Sequence, residues 1–127
     1  MKGYLAVKNK HQVTRVSVEE VMYILRDGRR LIVTTEEKEY VYYERIEAIK
    51  SRLSESFYRP LDRCIVNMDY LKSVDVLKRR MIFRNGDELF LGRDACSKTK
   101  AAFYSYLLKG NNESCGITAA EEEGKYK

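Results

Sequence analysis

Residues 21–35 read VMYILRDGRRLIVTT. Val21 to Leu25 and Leu31 to Thr35 are rich in the β-branched and aromatic residues that suit a pleated, half-buried strand. Between them stands Asp27-Gly28, a strong two-residue hairpin signal because the tightest turn needs positive φ. Arg29 and Arg30 follow at once, so the expected hairpin carries two guanidinium groups near its tip.

Working outward, strands are expected at Tyr4 to Val7 and at Gln12 to Val18, where Val16 and Val18 alternate, and a short one at Glu39 to Val41. From Tyr42 the period changes. Tyr42, Ile46, Ile49 and Leu53 recur at i, i+4, i+7 and i+11, the mark of one apolar helix face, with Glu44, Glu47, Lys50 and Arg52 on the solvent side. Strands return at Phe57 to Arg59 and Cys64 to Val66, separated by a polar loop holding Pro60, whose missing N–H disfavours a central strand. Val74 to Leu77, Met81 to Arg84 and Glu88 to Leu91 form a meander, with turns at Lys78-Arg79-Arg80 and Asn85-Gly86. Asp94 is placed to cap a last helix, whose apolar face is Cys96, Phe103, Tyr106 and Leu107 and which Gly110 ends. The expected fold is mainly β, antiparallel sheets with two short helices, in one domain over residues 1–109. A flexible acidic tail over 110–127 is expected to follow.

A chain of 127 residues suits one domain. With 44% hydrophobic and 34% charged residues the composition is globular, not disordered or membrane-spanning. No run approaches the length of a membrane span, and the opening MKGYLAVKNKHQV lacks the apolar core of a signal peptide, so the cytoplasm is the expected compartment. Cys64, Cys96 and Cys115 are widely spaced and His11 is the one histidine, which gives no close-spaced zinc ligands. Neither a metal nor another cofactor is expected. With no phosphate-cradling glycine loop and few candidates for a nucleophile, an acid/base pair or a metal, catalysis is not expected either.

The net charge is +5, but the tail from Gly110 is net −2, leaving +7 on the body. Such an excess favours a polyanionic partner, because cations placed against phosphates release condensed counterions. Many of the cations fall at expected turns: Arg29 and Arg30, Arg59 and Arg63, Lys78 to Arg80, and Arg93. Any one of them is explained by solvation alone. Turns projecting to one side would make a phosphate-binding edge.

The run FYRPLDRCIVNMDYLKSV at 57–74, then MIFRNGDELFLGR at 81–93 and a helix, resembles the LytTR family of bacterial DNA-binding domains. Phe57 and Arg59 supply the aromatic-x-Arg lead, Val66 and Asn67 the central pair, Asn85 and Gly86 the turn, and Arg93 the arginine before the helix. Upstream, VSVEEVMYILRDGRRLIVTT at 16–35 is similar to the family's early strands, so the resemblance covers residues 4 to 108. Leu61, Arg63 and Gly92 depart from the pattern, standing where histidine, serine and serine are common.

The resemblance implies a fold of antiparallel sheets that binds duplex DNA through loops, entering successive major grooves. By residue type, Arg29, Arg30 and Arg93 suit guanine edges, while Arg63, Arg79, Arg80 and Lys98 suit phosphates. Arg59 joins the candidate set. Asn67 is either a DNA contact or a buried amide holding its loop. Two such domains on repeated DNA sites are expected to pair there and to be monomeric elsewhere, with no membrane contact. Whether the chain is a stand-alone regulator or the output part of a longer response regulator stays open. Two rivals remain: an RNA- or single-strand-binding β domain, and a protein-interaction module presenting Tyr40, Tyr42 and Tyr43.

Overall fold

The computed structural model describes residues 3–110. The expected acidic tail lies outside the described residues, apart from Gly110. Strands β1 (Tyr4–Lys8) and β2 (Val13–Ser17) form a two-stranded sheet. Strands β3 (Val21–Asp27), β4 (Arg30–Thr35), β5 (Glu39–Tyr42), β6 (Phe57–Leu61) and β7 (Cys64–Asn67) form the central sheet in the order β5-β4-β3-β7-β6. A third sheet holds β8 (Leu71–Asp75), β9 (Arg80–Phe83) and β10 (Glu88–Phe90) in the order β10-β9-β8. Every pairing is antiparallel. Helix α1 (Ile46–Lys50) follows β5, and α2 (Arg93–Gly110) closes the described chain.

The central sheet is covered on both faces, which is why β7 and most of β3 are buried throughout. One core joins Leu5, Val16, Val21, Ile24, Leu31, Val33, Ile49 and Ile65, so β1, β2 and α1 cover that face. The other joins Met22, Tyr23, Val66, Met81, Phe83, Cys96 and Phe103, packing the third sheet and α2 on the opposite face. Simple alternation would put Val21 and Tyr23 on one face. A β-bulge between them inserts a residue against β4, so Val21 joins Ile24 while Met22 and Tyr23 turn to the other side. Ile24, Leu31 and Ile65 are fully buried, and truncating any of them to alanine costs about 2–5 kcal/mol.

Several expectations need correction. Helix α1 is five residues long, because Tyr42 ends β5 opposite Leu31 and Arg45 is still extended. Tyr42, Ile46 and Ile49 nevertheless share one core with Leu53 against it, so the apolar face was legible although a strand supplies part of it. Burial of Tyr42 also removes it from any exposed tyrosine surface with Tyr40 and Tyr43. Pro60 lies inside β6, which is tolerated because β6 is an edge strand whose register shifts between Tyr58 and Leu61. Strand β8 ends at Asp75, leaving Leu77 in a turn at 89% exposure.

The last helix is not short. It runs 18 residues and begins at Arg93, so Asp94 lies within its first turn, its carboxylate 3.3 Å from Lys98 Nζ. Cys96, Thr99 and Phe103 are its buried residues, and Leu107, expected on the apolar face, is half exposed. No helix among the described residues is long and apolar enough to cross a membrane.

Candidate nucleic-acid interface

Three tight turns and the start of α2 carry most of the candidate cations, and each is built by a local cause. The β3–β4 turn is centred one residue later than Asp27-Gly28: Asp27 pairs with Arg30, leaving Gly28 at φ +67° and Arg29 as the central pair. Positive φ at the first central position alone is the pattern of a type II′ hairpin turn, which favours glycine there. Arg29 is thus the apex, while Arg30 opens β4 and donates to Asp27 Oδ2 at 3.0 Å.

Strands β6 and β7 meet in another two-residue turn, Asp62-Arg63, closed by the Leu61–Cys64 pair. Arg59 braces it from behind, donating Nη2 (2.6 Å) and Nε (3.2 Å) to the Asp62 carbonyl and pairing with Glu47 at 3.3 Å. The β8–β9 turn, residues 76–79, is pinned at both ends. Asp75 Oδ1 accepts from Lys78 N at 3.1 Å, and the Arg79 carbonyl accepts from Leu91 N at 2.9 Å. Arg79 has φ +58°, a left-handed conformation that costs a side-chain-bearing residue roughly 1–2 kcal/mol.

Pairing brings these turns to one end of the molecule. Because Leu25 of β3 opposes Cys64 of β7 in antiparallel register, the β3–β4 and β6–β7 turns project from the same edge of the central sheet. Arg26 N donates to the Arg63 carbonyl at 2.9 Å. Arg26 and Arg63 then line a cleft of about 170 Å³ with Leu89, Phe90 and Leu91, and Leu91 holds the Arg79 carbonyl. Gly92 and Arg93 follow directly. The Asn85-Gly86 turn lies elsewhere: Asp87 accepts from Tyr23 Oη at 2.9 Å near the other end of β3, and the Arg84 guanidinium sits 5.1 Å from the Tyr70 ring.

The candidates divide by what their side chains already touch. Among the described residues Arg29, Arg63, Arg79 and Arg93 are exposed and carry no ion pair or side-chain hydrogen bond. Arg30, Arg59, Arg80 and Lys98 are paired with Asp27, Glu47, Glu88 and Asp94. Arg80 is also half-buried, with Nη1 at 3.1 Å from both Glu88 oxygens. Asn67 is buried at 1% exposure, donating to the Val21 carbonyl at 2.8 Å and accepting from Asp69 N at 3.0 Å. It holds its loop from inside. Arg26 was missed by sequence reasoning, although a cation ending the apolar run Val21–Leu25 next to a turn was a usable signal.

Elsewhere the titratable groups serve the core. Burial pushes the Cys64 thiol up to about 12, which suits an inert packed sulfhydryl rather than a nucleophile. Among the described residues no group of histidine, cysteine, aspartate and glutamate is placed to hold a metal ion.

An antiparallel β scaffold here displays, at one end, turn-borne guanidinium groups that are unpaired among the described residues. The chain belongs to the LytTR family: the sequence profile of the LytTr DNA-binding domain matches residues 11–103. Among solved structures, the LytTr DNA-binding domain of a protein described as a methyl-accepting/DNA response regulator from Bacillus cereus superposes with a TM-score of 0.65. It is 20% identical in sequence, and the match covers 77% of this chain and 94% of that one. No curated protein sequence matches the chain significantly.

Proposed function

We propose that the protein binds specific duplex DNA sites in bacterial transcription control, through the edge formed by the β3–β4, β6–β7 and β8–β9 turns and the start of α2. The observation that carries this is the gathering at one end of the fold of Arg29, Arg63, Arg79 and Arg93, exposed and, among the described residues, unpaired. Arg29 and Arg93 read bases, and Arg63 and Arg79 hold phosphates. Arg30, Arg80 and Lys98 contribute after exchanging a carboxylate for a phosphate, while Arg59 braces its turn and Asn67 stabilises the fold from inside. The reading assigns no catalytic step and no cofactor, and it sets the protein in the cytoplasm, where the DNA is.

Surface ion pairs such as Arg30–Asp27 are worth about 0–1 kcal/mol, so such an exchange is cheap. On repeated sites two copies pair, since each adds its own phosphate contacts, and off DNA the chain is monomeric. The test is anisotropy on selected and scrambled duplexes across a salt series. A log-log slope of about −0.9 per neutralised phosphate is expected for both, and a slope near zero would remove the phosphate edge.

A single-strand-binding reading draws on exposed aromatics, of which Tyr4, Tyr43, Phe90 and Tyr104 are the described examples. They belong to different elements, and Phe90 alone of the four lines the cleft beside Arg63. Duplex should therefore outcompete single strands at matched salt.

A further inference from the structure

Between the β3–β4 turn and the start of α1 lies a second and larger open cleft of about 660 Å³. Arg26, Arg29 and Arg45 line it together with Tyr43, Glu44 and Glu47. Neither Arg26 nor Arg45 fell in an expected basic turn.

The charge of this cleft is not what its composition suggests. Glu47 Oε2 lies 3.3 Å from the Arg59 guanidinium, and Glu44 Oε2 lies 4.0 Å from that of Arg52. Glu44 Oε1 accepts from the backbone N–H of Arg45 at 3.1 Å, not from its side chain. Both carboxylates are therefore ion-paired to arginines outside the cleft lining, although Glu47 also feels the charge of Arg45. Arg26, Arg29 and Arg45 are exposed, and among the described residues their guanidinium groups carry no ion pair or hydrogen bond. Three cations without an ion pair around one concavity, offset there by the Coulomb attraction between Arg45 and Glu47, is an arrangement whose self-repulsion an anion relieves.

The cleft is also continuous with the edge already described. Arg29 is at once the apex of the β3–β4 turn and part of the cleft wall, and Arg26 lines both this cleft and the one beside Arg63. Arg45 shares the lining of this cleft with Arg29.

We infer that Arg26 and Arg45 form a flanking phosphate clamp, in which the cleft between the β3–β4 turn and the start of α1 takes backbone phosphates of the duplex outside the bases that are read. This rests on the DNA reading of the edge. The clamp carries no sequence information, so it adds affinity and footprint length rather than specificity.

Arg45→Ala is a clean probe. Arg45 supports α1 through its carbonyl, which accepts from Ala48 N and Ile49 N, and alanine keeps both bonds. The experiment uses the full chain, a selected duplex extending well beyond the site on both sides, and a series shortened from each end. On the long duplex Arg45→Ala should lower the magnitude of the salt slope by about 1 and weaken cognate and scrambled sequences alike. On the duplex trimmed at the flank that meets the cleft, wild type and Arg45→Ala should bind equally. An unchanged slope for both Arg45→Ala and Arg26→Ala on the long duplex, with wild-type binding still salt-dependent, would overturn the clamp and leave the edge standing. Failure of the wild type to bind any duplex would overturn both together.

Discussion

The buried side-chain amide of Asn67, at the end of β7, donates to the main-chain carbonyl of Val21, at the start of β3, at 2.8 Å. Its oxygen accepts from Asp69 N, so one side chain locks the β3–β7 seam and the turn that leads into β8. That seam sets the register in which the β3–β4 and β6–β7 turns emerge side by side. Asn67→Ala leaves a buried carbonyl without its donor and should cost about 1–3 kcal/mol of stability. Thermal melts should show the loss, while duplex affinity measured well below the transition should be unchanged. Intact stability with lost binding would return Asn67 to the interface.

Arg79 offers the opposite balance. Its left-handed backbone is a position where glycine relieves strain, offset in part by glycine's extra freedom in the unfolded chain. Arg79→Gly should therefore be as stable as the wild type, or more stable by up to about 1 kcal/mol, yet bind every duplex more weakly. A destabilised variant in denaturant titration would show that the arginine side chain supports the fold.

Alkaline pH should unfold the protein from within. Burial and the hydrogen bond to Asp87 raise Tyr23 to about 12. Burial and the bond to Asp69 do the same for Tyr106, and burial alone raises Cys64 to about 12. Each folded value exceeds the ordinary one, 10.0 for tyrosine and 9.0 for cysteine, so the folded state binds protons more tightly than the unfolded. Their contribution is complete below those ordinary values and is lost as pH rises toward 12. The melting temperature should fall across that window, and Tyr23→Phe should flatten its share of the fall. An unchanged slope for Tyr23→Phe would remove that tyrosine as a source.

Which of these features a sequence shows depends on how local its cause is. The β3–β4 and β9–β10 hairpins are legible because glycine and alternation act within a few residues. The exchange of faces at Val21 and Tyr23 is not, because the bulge is fixed by the pairing of β3 with β4 rather than by any turn residue. Convergence of Arg29 with Arg63 depends on the same kind of distant pairing, β3 with β7. The pairing of Arg59 with Glu47 joins an edge strand to a helix and was equally hidden. The basic turn holding Arg79 is legible, but its left-handed backbone is not, since it occurs without a glycine.

The sharpest test of base reading falls on Arg93. As the first residue of α2 it is held by a helix of 18 residues whose next turns pack Cys96 and Thr99 into the core. Its guanidinium is exposed and, among the described residues, unpaired, so contact with a guanine edge would break no existing bond. Arg93→Lys keeps the charge but loses the planar fork, and should weaken cognate binding by about 1–3 kcal/mol while leaving scrambled duplexes nearly unchanged. Arg79→Ala should weaken both together, because a phosphate contact carries no direct sequence information. Equal losses on cognate and scrambled duplexes for Arg93→Lys would make it a backbone contact. Base reading would then fall to Arg29, since Arg30 is already tied to Asp27.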